Sequence, residues 1–297
     1  MELKAIPVRS MLIVVLALAA CVSCAPASLA IQGAALQRHV TQRYVALGDS
    51  YTSGPLIPDQ AWSRCLRSSR DYPALVAAAI HPASRTDVSC EGATTASMTR
   101  PQVILGHAVA SQFAALSRAD TLVTVQIGGN DIGFTSIIVT CAILSLTDLF
   151  GSPCAKHYTS GGIDRLARAT ARAAPKVAAV LRGIHRRAPH ARVLLVGYPD
   201  ILPAGRHGCW PEVPFASGDI AYLRGVEKGL NRMLAAQAAR HRAAYVNTYT
   251  GSIGHDACQR PGVKWVEGLV PTSVALSFHP NEAGERAMAR RVLQALR

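Results

Sequence analysis

The sequence predicts an α/β fold in which a mostly parallel β-sheet is covered by helices on both faces. Short β-rich runs alternate along the chain with amphipathic segments, which is the pattern of successive βαβ units. The 297 residues are 49% hydrophobic and 16% charged, a composition that can bury a sizeable core and excludes a chain that is disordered throughout. No internal repeat or Gly/Ser-rich linker interrupts this pattern, so a single domain is predicted.

The strands are predicted where β-branched and aliphatic residues cluster between turn signals. The first run, RYVALG, ends at Gly48, and the third run, TLVTVQI, is followed by Gly128 and Gly129. The five predicted strands occupy residues 43–48, 86–90, 121–127, 191–196 and 244–248.

Cap residues and apolar periodicity place the helices. Asp71 is a good N-cap and Pro73 suits the first turn, so a helix is predicted over residues 71–80, and Asn281 caps a last helix that runs to the C-terminus. Residues 108–118 are also predicted to be helical. Two longer helices each carry one apolar face, formed by Ile163, Leu166, Thr170, Ala173, Val177, Val180, Leu181 and Ile184 in one and by Ile220, Leu223, Val226, Leu230 and Leu234 in the other. Cysteine-bearing loops are predicted at residues 55–70, 141–162, 200–217 and 251–275.

The first 30 residues have the features of an export signal. Lys4 and Arg9 precede an uncharged apolar run over residues 11–22, which is too short for the ~20 residues of a membrane-spanning helix. The sequence SLA ending at Ala30 suits an ordinary signal peptidase, whereas LAAC ending at Cys21 resembles a bacterial lipobox, in which that cysteine carries lipid. The simpler alternative is that Cys21 is one more small residue of the apolar run. Residues 1–30 are therefore predicted to be a signal peptide or lipoprotein signal with its linker, and the protein to be secreted or anchored to the outer face of the membrane.

Six cysteines follow the signal segment, an even number that in an exported chain predicts three disulfides and leaves their connectivity open. They are Cys65, Cys90, Cys141, Cys154, Cys209 and Cys258. A metal site would need Cys-x-x-Cys or His partners at ligand spacing, which this part of the sequence lacks. Neither a metal nor a cofactor is therefore predicted.

The chain is basic, with 31 Lys and Arg against 18 Asp and Glu, a formal net charge of +13. This charge favours an anionic membrane or cell-envelope surface as a partner. Nucleic acid is not expected, because aromatic residues are only 5% and are not interleaved with basic runs. The chain itself is predicted to be a monomer.

Four segments with reactive residues are placed at the edge of the sheet where the carboxyl ends of its parallel strands meet. Ser50 follows the first strand, Gly92 the second and Asn130 the third, while His279 comes just before the last helix. Each alone is weak evidence, since a Ser after Gly-Asp is usually a turn or a helix cap. Together, in this order and at one edge, they predict a common site.

These segments resemble the signature blocks of the GDSL, or SGNH, hydrolase family. VALGDSYTSG at residues 45–54 matches block one, Gly92 block two, IGGND at residues 127–131 block three, and His279-Pro280 block five. The likeness covers nearly the whole chain after the signal segment and is greatest to secreted actinobacterial esterases and phospholipases with three disulfides. It implies an SGNH hydrolase domain over residues 40–297, with a flavodoxin-like three-layer α/β/α sandwich and a five-stranded parallel sheet in the order 2-1-3-4-5.

The resemblance also assigns roles in acyl transfer. Ser50 would be the nucleophile, and His279 the base that takes its proton and passes it to the leaving alcohol. The oxyanion would be held by the backbone N–H groups of Ser50 and Gly92 and by the side-chain amide of Asn130. The implied partner is an ester substrate, either a lipid or an acylated sugar, hydrolysed without a cofactor. Two alternatives stay open, namely acyl transfer to cell-envelope glycans and a catalytically inactive envelope-binding protein.

One position departs from the family pattern. Many members place an Asp three residues before the catalytic His, where this sequence has Leu276. The resemblance to members that lack this Asp implies a dyad, in which a backbone carbonyl of Leu276 or Ser277 orients His279. Asp49 and Asp131 are expected to brace loops.

The implied strand order also suggests how the cysteines pair. Because the second strand would lie beside the first, Cys65 in the loop after strand one is expected to bond Cys90 at the end of strand two. Cys141–Cys154 would close one insertion, and Cys209–Cys258 would tie together the loops after strands four and five.

Overall fold

A five-stranded parallel sheet forms the centre of the fold. The computed structural model describes residues 42–61, 64–104, 106–205 and 208–297. Its strands are β1 (Arg43–Gly48), β2 (Ser84–Asp87), β3 (Gln102–Ile104), β4 (His107–Val109), β5 (Leu122–Gln126), β6 (Arg192–Val196) and β7 (Ala244–Val246). The sheet has the order β2-β1-β5-β6-β7 with parallel neighbours, while β3 and β4 form a separate antiparallel hairpin. Counted over the five strands of the parallel sheet, this is the 2-1-3-4-5 order that the family resemblance implies.

Helices pack on both faces of this sheet. They are α1 (Ser50–Ser53), α2 (Tyr72–Ile80), α3 (Phe134–Ser145), α4 (Pro153–Thr159), α5 (Arg165–Arg187), α6 (Ile220–Arg240), α7 (Tyr249–Ser252) and α8 (Glu282–Leu296). Successive side chains of a strand point to opposite faces. Val123 and Val125 join one core with residues of α5 and α6, whereas Leu122 joins a second core with residues of α2 and α8. The predicted three-layer α/β/α sandwich is therefore confirmed.

The two N-caps predicted from the sequence are confirmed. The Asp71 carboxylate accepts a hydrogen bond from the Ala74 N–H at 2.7 Å, at the start of α2. The Asn281 side chain accepts from the Ala283 and Gly284 N–H groups at 3.0 and 3.1 Å. Each cap satisfies backbone donors that the first helical turn leaves without a partner.

The predicted signal segment, residues 1–30 with Cys21, lies outside the described residues, so both cleavage alternatives stay predictions. The domain predicted over residues 40–297 is described from Gln42 onward, with short gaps. Of the helices in this described part, none combines the length and apolarity needed to cross a bilayer.

The second strand begins and ends earlier than predicted. β2 covers Ser84–Asp87 rather than residues 86–90. The N–H groups of Val88 and Cys90 still donate to carbonyls of β1, at 3.0 and 3.1 Å, so the chain continues alongside β1 after the strand ends. Where the strand ends, the Asp87 carboxylate accepts hydrogen bonds from both the N–H and the hydroxyl of Ser89.

The prediction of a helix over residues 108–118 is wrong. Its first residues belong to the hairpin strand β4, and only Gln112–Ala115 form a short 3₁₀ turn. The buried Gln112 side chain bonds both the N–H and the carbonyl of Gly48, each at 2.8 Å. This tertiary contact fixes the segment across the end of β1, and local helix propensity does not prevail.

The insertion predicted as a loop over residues 141–162 is largely helical, with the end of α3 and all of α4 lying within it. Disulfides join Cys65–Cys90, Cys141–Cys154 and Cys209–Cys258, the three pairs expected. The second of these connects α3 to α4 and so closes the helical insertion.

Candidate active site

Ser50 is placed by the sharp turn between β1 and α1. Asp49 is the N-cap of this four-residue helix, and its carboxylate accepts from the Tyr51 N–H at 3.0 Å. Gly54 ends the helix with φ of 62°, a left-handed conformation that glycine adopts at little cost. The turn leaves Ser50 at the carboxyl edge of the sheet with only 6% of its surface exposed.

His279 is hydrogen-bonded to Ser50. Its Nε2 lies 2.7 Å from Ser50 Oγ, and its Nδ1 lies 2.8 Å from the backbone carbonyl oxygen of Ser277. A carbonyl can only accept, so Nδ1 carries the proton and Nε2 is free to accept the Ser50 hydroxyl. Of the two carbonyls considered in the sequence, that of Ser277 contacts the imidazole, while that of Leu276 accepts the His279 backbone N–H.

Burial makes this imidazole hard to protonate in the free protein. His279 is 8% exposed, and loss of hydration lowers its pKa from 6.5 to about 4, although the Ser277 carbonyl opposes the shift. The ring is therefore neutral at physiological pH, which is the state required of a proton acceptor.

Neither Asp49 nor Asp131 forms a hydrogen bond or ion pair with His279, whose ring nitrogens are bonded to Ser50 and Ser277. Asp49 caps α1 and accepts a hydrogen bond from the Tyr198 hydroxyl, and burial raises its pKa to about 7. Asp131 accepts from the N–H and the hydroxyl of Thr95, at 2.9 and 2.6 Å. Both carboxylates hold loops together, the role expected for them.

The two loops that carry Gly92 and Asn130 are joined directly. One N–H of the Asn130 side-chain amide donates to the Ala93 carbonyl at 2.9 Å, which leaves the other N–H available. Gly92 is exposed and has φ of 69°, a conformation in which a β-carbon would be strained. The structure thus brings Ser50 together with His279, and Asn130 together with the segment that follows Gly92.

Three aromatic residues that were not predicted as site residues, Tyr51, Phe134 and Tyr198, lie around the candidate site. The Tyr51 ring lies 4.9 Å from the His279 ring, and its hydroxyl donates to the Phe278 carbonyl. The Phe134 ring meets the same imidazole edge-on at 6.3 Å. Tyr51 directly follows Ser50, and Tyr198 directly follows Gly197 after the end of β6, so proximity to the predicted edge could have found both.

Tyr198 connects the serine turn to the Asn130 loop. Its hydroxyl donates to the Asp49 carboxylate and accepts from the Gly129 N–H at 2.9 Å. Burial and the neighbouring Asp49 charge raise the pKa of Tyr198, so it stays protonated and keeps donating. This buried link fixes Asn130 relative to Ser50.

An apolar cavity of about 70 Å³ lies beside these residues. Its lining includes Gly129, Phe134, Ile137, Tyr198, Leu202, Phe215, Leu223, Leu230 and Phe278. Glu227 also faces it, and burial raises the pKa of this carboxyl well above its usual range, which favours the neutral form. The cavity is suited to a hydrocarbon group, and its lining includes Phe134, whose ring meets the His279 imidazole, and Phe278, the residue before His279.

The chain is similar to known proteins over most of its length. The model of the GDSL-like lipase/acylhydrolase family matches residues 46–287. The chain is 40% identical to Lipase 2 of Streptomyces coelicolor over 261 residues, which is 86% of each protein, and 31% identical to a lipase of Streptomyces rimosus over 249 residues, which is 82% of each. Among solved structures, it is similar to phospholipase A1 from Streptomyces albidoflavus NA297, with a TM-score of 0.70 and 30% identity over 86% of this chain and 99% of that one. It is also similar to an extracellular lipase from Streptomyces rimosus, with a TM-score of 0.68 and 29% identity over the same shares of the two chains.

Proposed function

Because the chain belongs to the GDSL-like lipase/acylhydrolase family and is therefore an ester hydrolase, we propose that it is an exported serine hydrolase in which Ser50 is the nucleophile and His279 the base. The observation that carries the proposal is the 2.7 Å contact between Ser50 Oγ and His279 Nε2, with Nδ1 held by the Ser277 carbonyl. A hydroxyl becomes a useful nucleophile when an adjacent base takes its proton, and this pair has that geometry.

The reaction proceeds in two halves. In the first, Ser50 Oγ attacks the ester carbonyl carbon as its proton passes to His279 Nε2, and collapse of the tetrahedral intermediate transfers that proton to the leaving alcohol. In the second, a water molecule loses its proton to Nε2 and attacks the acyl-serine, and His279 returns the proton to Ser50. The Ser277 carbonyl keeps the imidazole aligned throughout and partly compensates its positive charge.

The developing oxyanion is stabilised by the N–H groups of Ser50 and Gly92 and by the Asn130 amide. The contacts Asn130–Ala93, Tyr198–Gly129 and Asp131–Thr95 hold the two donor loops before substrate arrives. Donors that are already oriented need no reorganisation when charge develops, which is why they favour the transition state over the bound ester.

Asn130→Ala is expected to lower kcat by ~10²–10³, because its amide interacts most strongly once the carbonyl oxygen becomes charged. KM should change much less. Steady-state kinetics on a soluble p-nitrophenyl ester measure both constants. A rise in KM with kcat unchanged would mean that Asn130 only positions the ester, and its place in the oxyanion hole would be wrong.

The substrates proposed are esters of lipids or acylated carbohydrates. The apolar cavity beside His279 supports an acyl group with hydrocarbon character, and the relatives are named as lipases, an esterase and a phospholipase A1. The hydrogen-bonded Ser50–His279 pair speaks against an inactive binding protein. Labelling of the wild-type chain by a fluorophosphonate, with hydrolysis rates for p-nitrophenyl esters of increasing chain length, tests the proposal. Failure of both would reject it.

Export is part of the same proposal. Three disulfides are typical of proteins that fold in an oxidising compartment, and one similar structure is described as an extracellular lipase. Cleavage after Ala30 and lipidation of Cys21 remain the two alternatives for the signal segment.

Activity is expected to persist into acid. His279 with a pKa of about 4 remains a neutral base at pH 5, whereas a histidine with the ordinary value of 6.5 is mostly protonated there. The logarithm of kcat/KM should therefore stay level as the pH falls and decline only as it approaches 4, since this profile reports groups of the free enzyme. The profile is measured by following hydrolysis of a p-nitrophenyl ester at the isosbestic wavelength of the released nitrophenol.

The control for this pH profile is the Asp49→Asn variant. The pKa of Asp49 is about 7, so any fall in kcat/KM caused by protonation of Asp49 would be absent from this variant. Half-loss of kcat/KM near 6.5 that persists in this variant would mean that His279 titrates as an ordinary histidine.

A further inference from the structure

The segment that carries His279 is bonded to a stretch of chain that precedes it. An isolated antiparallel bridge joins Val266 to Pro280. Beside it, the Glu267 N–H donates to the His279 carbonyl at 3.0 Å. The backbone of Glu267 is therefore bonded directly to the residue proposed as the base.

The Glu267 side chain is fully buried, and its carboxylate is bonded on both sides of His279. One oxygen accepts from the N–H and the hydroxyl of Thr272 at 2.8 and 3.1 Å, and the other accepts from the Asn281 amide at 2.8 Å. Thr272 precedes His279 in the chain and Asn281 follows it. One carboxylate thus connects the two ends of the segment that contains both the imidazole and the Ser277 carbonyl.

The Asn281 amide has one orientation that satisfies its neighbours. Its oxygen accepts from the Ala283 and Gly284 N–H groups as the N-cap of α8, so its nitrogen is the atom that donates to Glu267 and to the Lys264 carbonyl. A flipped amide would turn its oxygen toward the carboxylate and its nitrogen toward the first N–H groups of the helix. The side chain at position 267 must therefore be an acceptor toward Asn281.

The Glu267 carboxyl is ionised at neutral pH although it is buried. Burial acts to raise its pKa, but the hydrogen bonds from Asn281 and Thr272 and the charge of Lys264, 4.0 Å away, outweigh burial and lower the pKa below its ordinary value. Hydrogen bonds to a charged acceptor are stronger than those between neutral groups. The contacts that fix this segment are thus charge-assisted.

We propose that Glu267 is a positioning residue for ester hydrolysis, which holds the segment around His279 so that the imidazole faces Ser50. The inference rests on the proposed function, because it takes His279 as the base. Glu267 acts through the hydrogen bonds that fix this segment rather than through its charge on the imidazole, since the pKa of His279 is shifted by burial and by the Ser277 carbonyl.

Glu267→Gln tests this role with little change in shape. A glutamine amide would place N–H groups against the donors of Thr272 or Asn281, so one of the two ends is released. Since a small displacement of the base is costly, kcat is expected to fall by roughly 10–100-fold while KM changes little. Thr272→Val, at an exposed residue, removes only the hydroxyl bond and should lower kcat by less. Steady-state kinetics on a p-nitrophenyl ester measure both variants.

An NMR titration of His279 reports the environment of the imidazole without requiring turnover. The buried ring has a pKa of about 4, and a ring that the released segment lets into water should titrate closer to the ordinary value of 6.5. The pKa is therefore expected to rise in Glu267→Gln. The spectrum of His279→Ala, from which the signal is missing, identifies the resonance.

The matched control is Glu282→Gln. It removes the same charge one residue after Asn281, from a carboxylate that pairs with Arg70 and Arg286, and it should leave kcat and the His279 titration unchanged. An unchanged kcat or an unchanged titration in folded Glu267→Gln would overturn the proposal, as would an equal effect in the control. Unfolding midpoints establish which variants are folded, and if Glu267→Gln is not, Thr272→Val decides by the same two readouts.

The two readouts separate this inference from the proposed function. If the wild-type chain neither hydrolyses p-nitrophenyl esters nor reacts with a fluorophosphonate, the serine-hydrolase proposal fails, while the titration still reports whether Glu267 fixes the imidazole. If hydrolysis is present and Glu267→Gln leaves kcat unchanged, only the positioning role fails.

Discussion

Ser50→Ala is expected to abolish both ester hydrolysis and labelling by a fluorophosphonate. The change removes the oxygen to which His279 Nε2 is hydrogen-bonded at 2.7 Å, and a methyl group can neither lose a proton nor form an acyl bond. By the scale seen when a catalytic serine is removed from a protease triad, kcat should fall by about 10⁶. Hydrolysis of a p-nitrophenyl ester and detection of the covalent adduct by mass spectrometry measure the two effects.

Ser53→Ala is the matched control for this change. Ser53 lies in the same short helix α1 and is fully buried, and its hydroxyl has no hydrogen-bond partner among the described residues. Loss of that hydroxyl should leave labelling intact. Retained labelling in Ser50→Ala, or equal loss in both variants with unchanged unfolding midpoints, would contradict the assignment of Ser50 as nucleophile.

Strands β1, β5 and β6 were predictable because apolar runs that are buried on both faces of a parallel sheet are visible in a sequence. Helix α3, FTSIIVTCAILS, was not, since apolar residues occur nearly all around it and Val139 and Ile143 remain exposed. Without one apolar stripe the helical period cannot be recognised. The helix prediction over residues 108–118 failed for another reason. The hydrogen bonds from Gln112 to Gly48 join two segments that meet only in the folded chain, so the sequence pattern does not show them.

At the candidate site, motif spacing selected Ser50 and His279, which the structure places in hydrogen-bond contact, but it could not choose which carbonyl would hold the imidazole. The backbone makes that choice. Phe278 has φ of 58°, a left-handed conformation that is uncommon for a residue with a β-carbon, and the Ser277 carbonyl two residues before His279 reaches Nδ1. Packing of the Phe278 ring on Phe215 and the Tyr51 hydroxyl bond to its carbonyl hold this turn. Strain of this kind is retained where the surroundings fix it.

His279→Ala is expected to be nearly inactive, whereas Leu276→Ala should lower kcat only roughly tenfold or less. Removing the imidazole deprives Ser50 of its base, an effect of about 10⁶ by the same protease scale. Leu276 stands where many relatives have an acid, but its aliphatic side chain can form no hydrogen bond with Nδ1 or Nε2, which are bonded to Ser277 and Ser50. Its half-buried position makes the expected loss one of packing. Rates of ester hydrolysis at saturating substrate compare the two variants, with unfolding midpoints measured alongside.

The competing hypothesis is that a carboxylate elsewhere orients His279. Asp49→Asn and Asp131→Asn test it, because each keeps an oxygen that can accept hydrogen bonds while removing the charge. A triad aspartate replaced in this way costs about 10⁴ in kcat. If either variant, shown to be folded, lost activity on that scale, a carboxylate would be the orienting group and the dyad held by the Ser277 carbonyl would be wrong. If both variants lose far less activity, the group that orients His279 is the Ser277 backbone carbonyl. A backbone carbonyl is present whatever the side chains are, so no acid is needed at position 276.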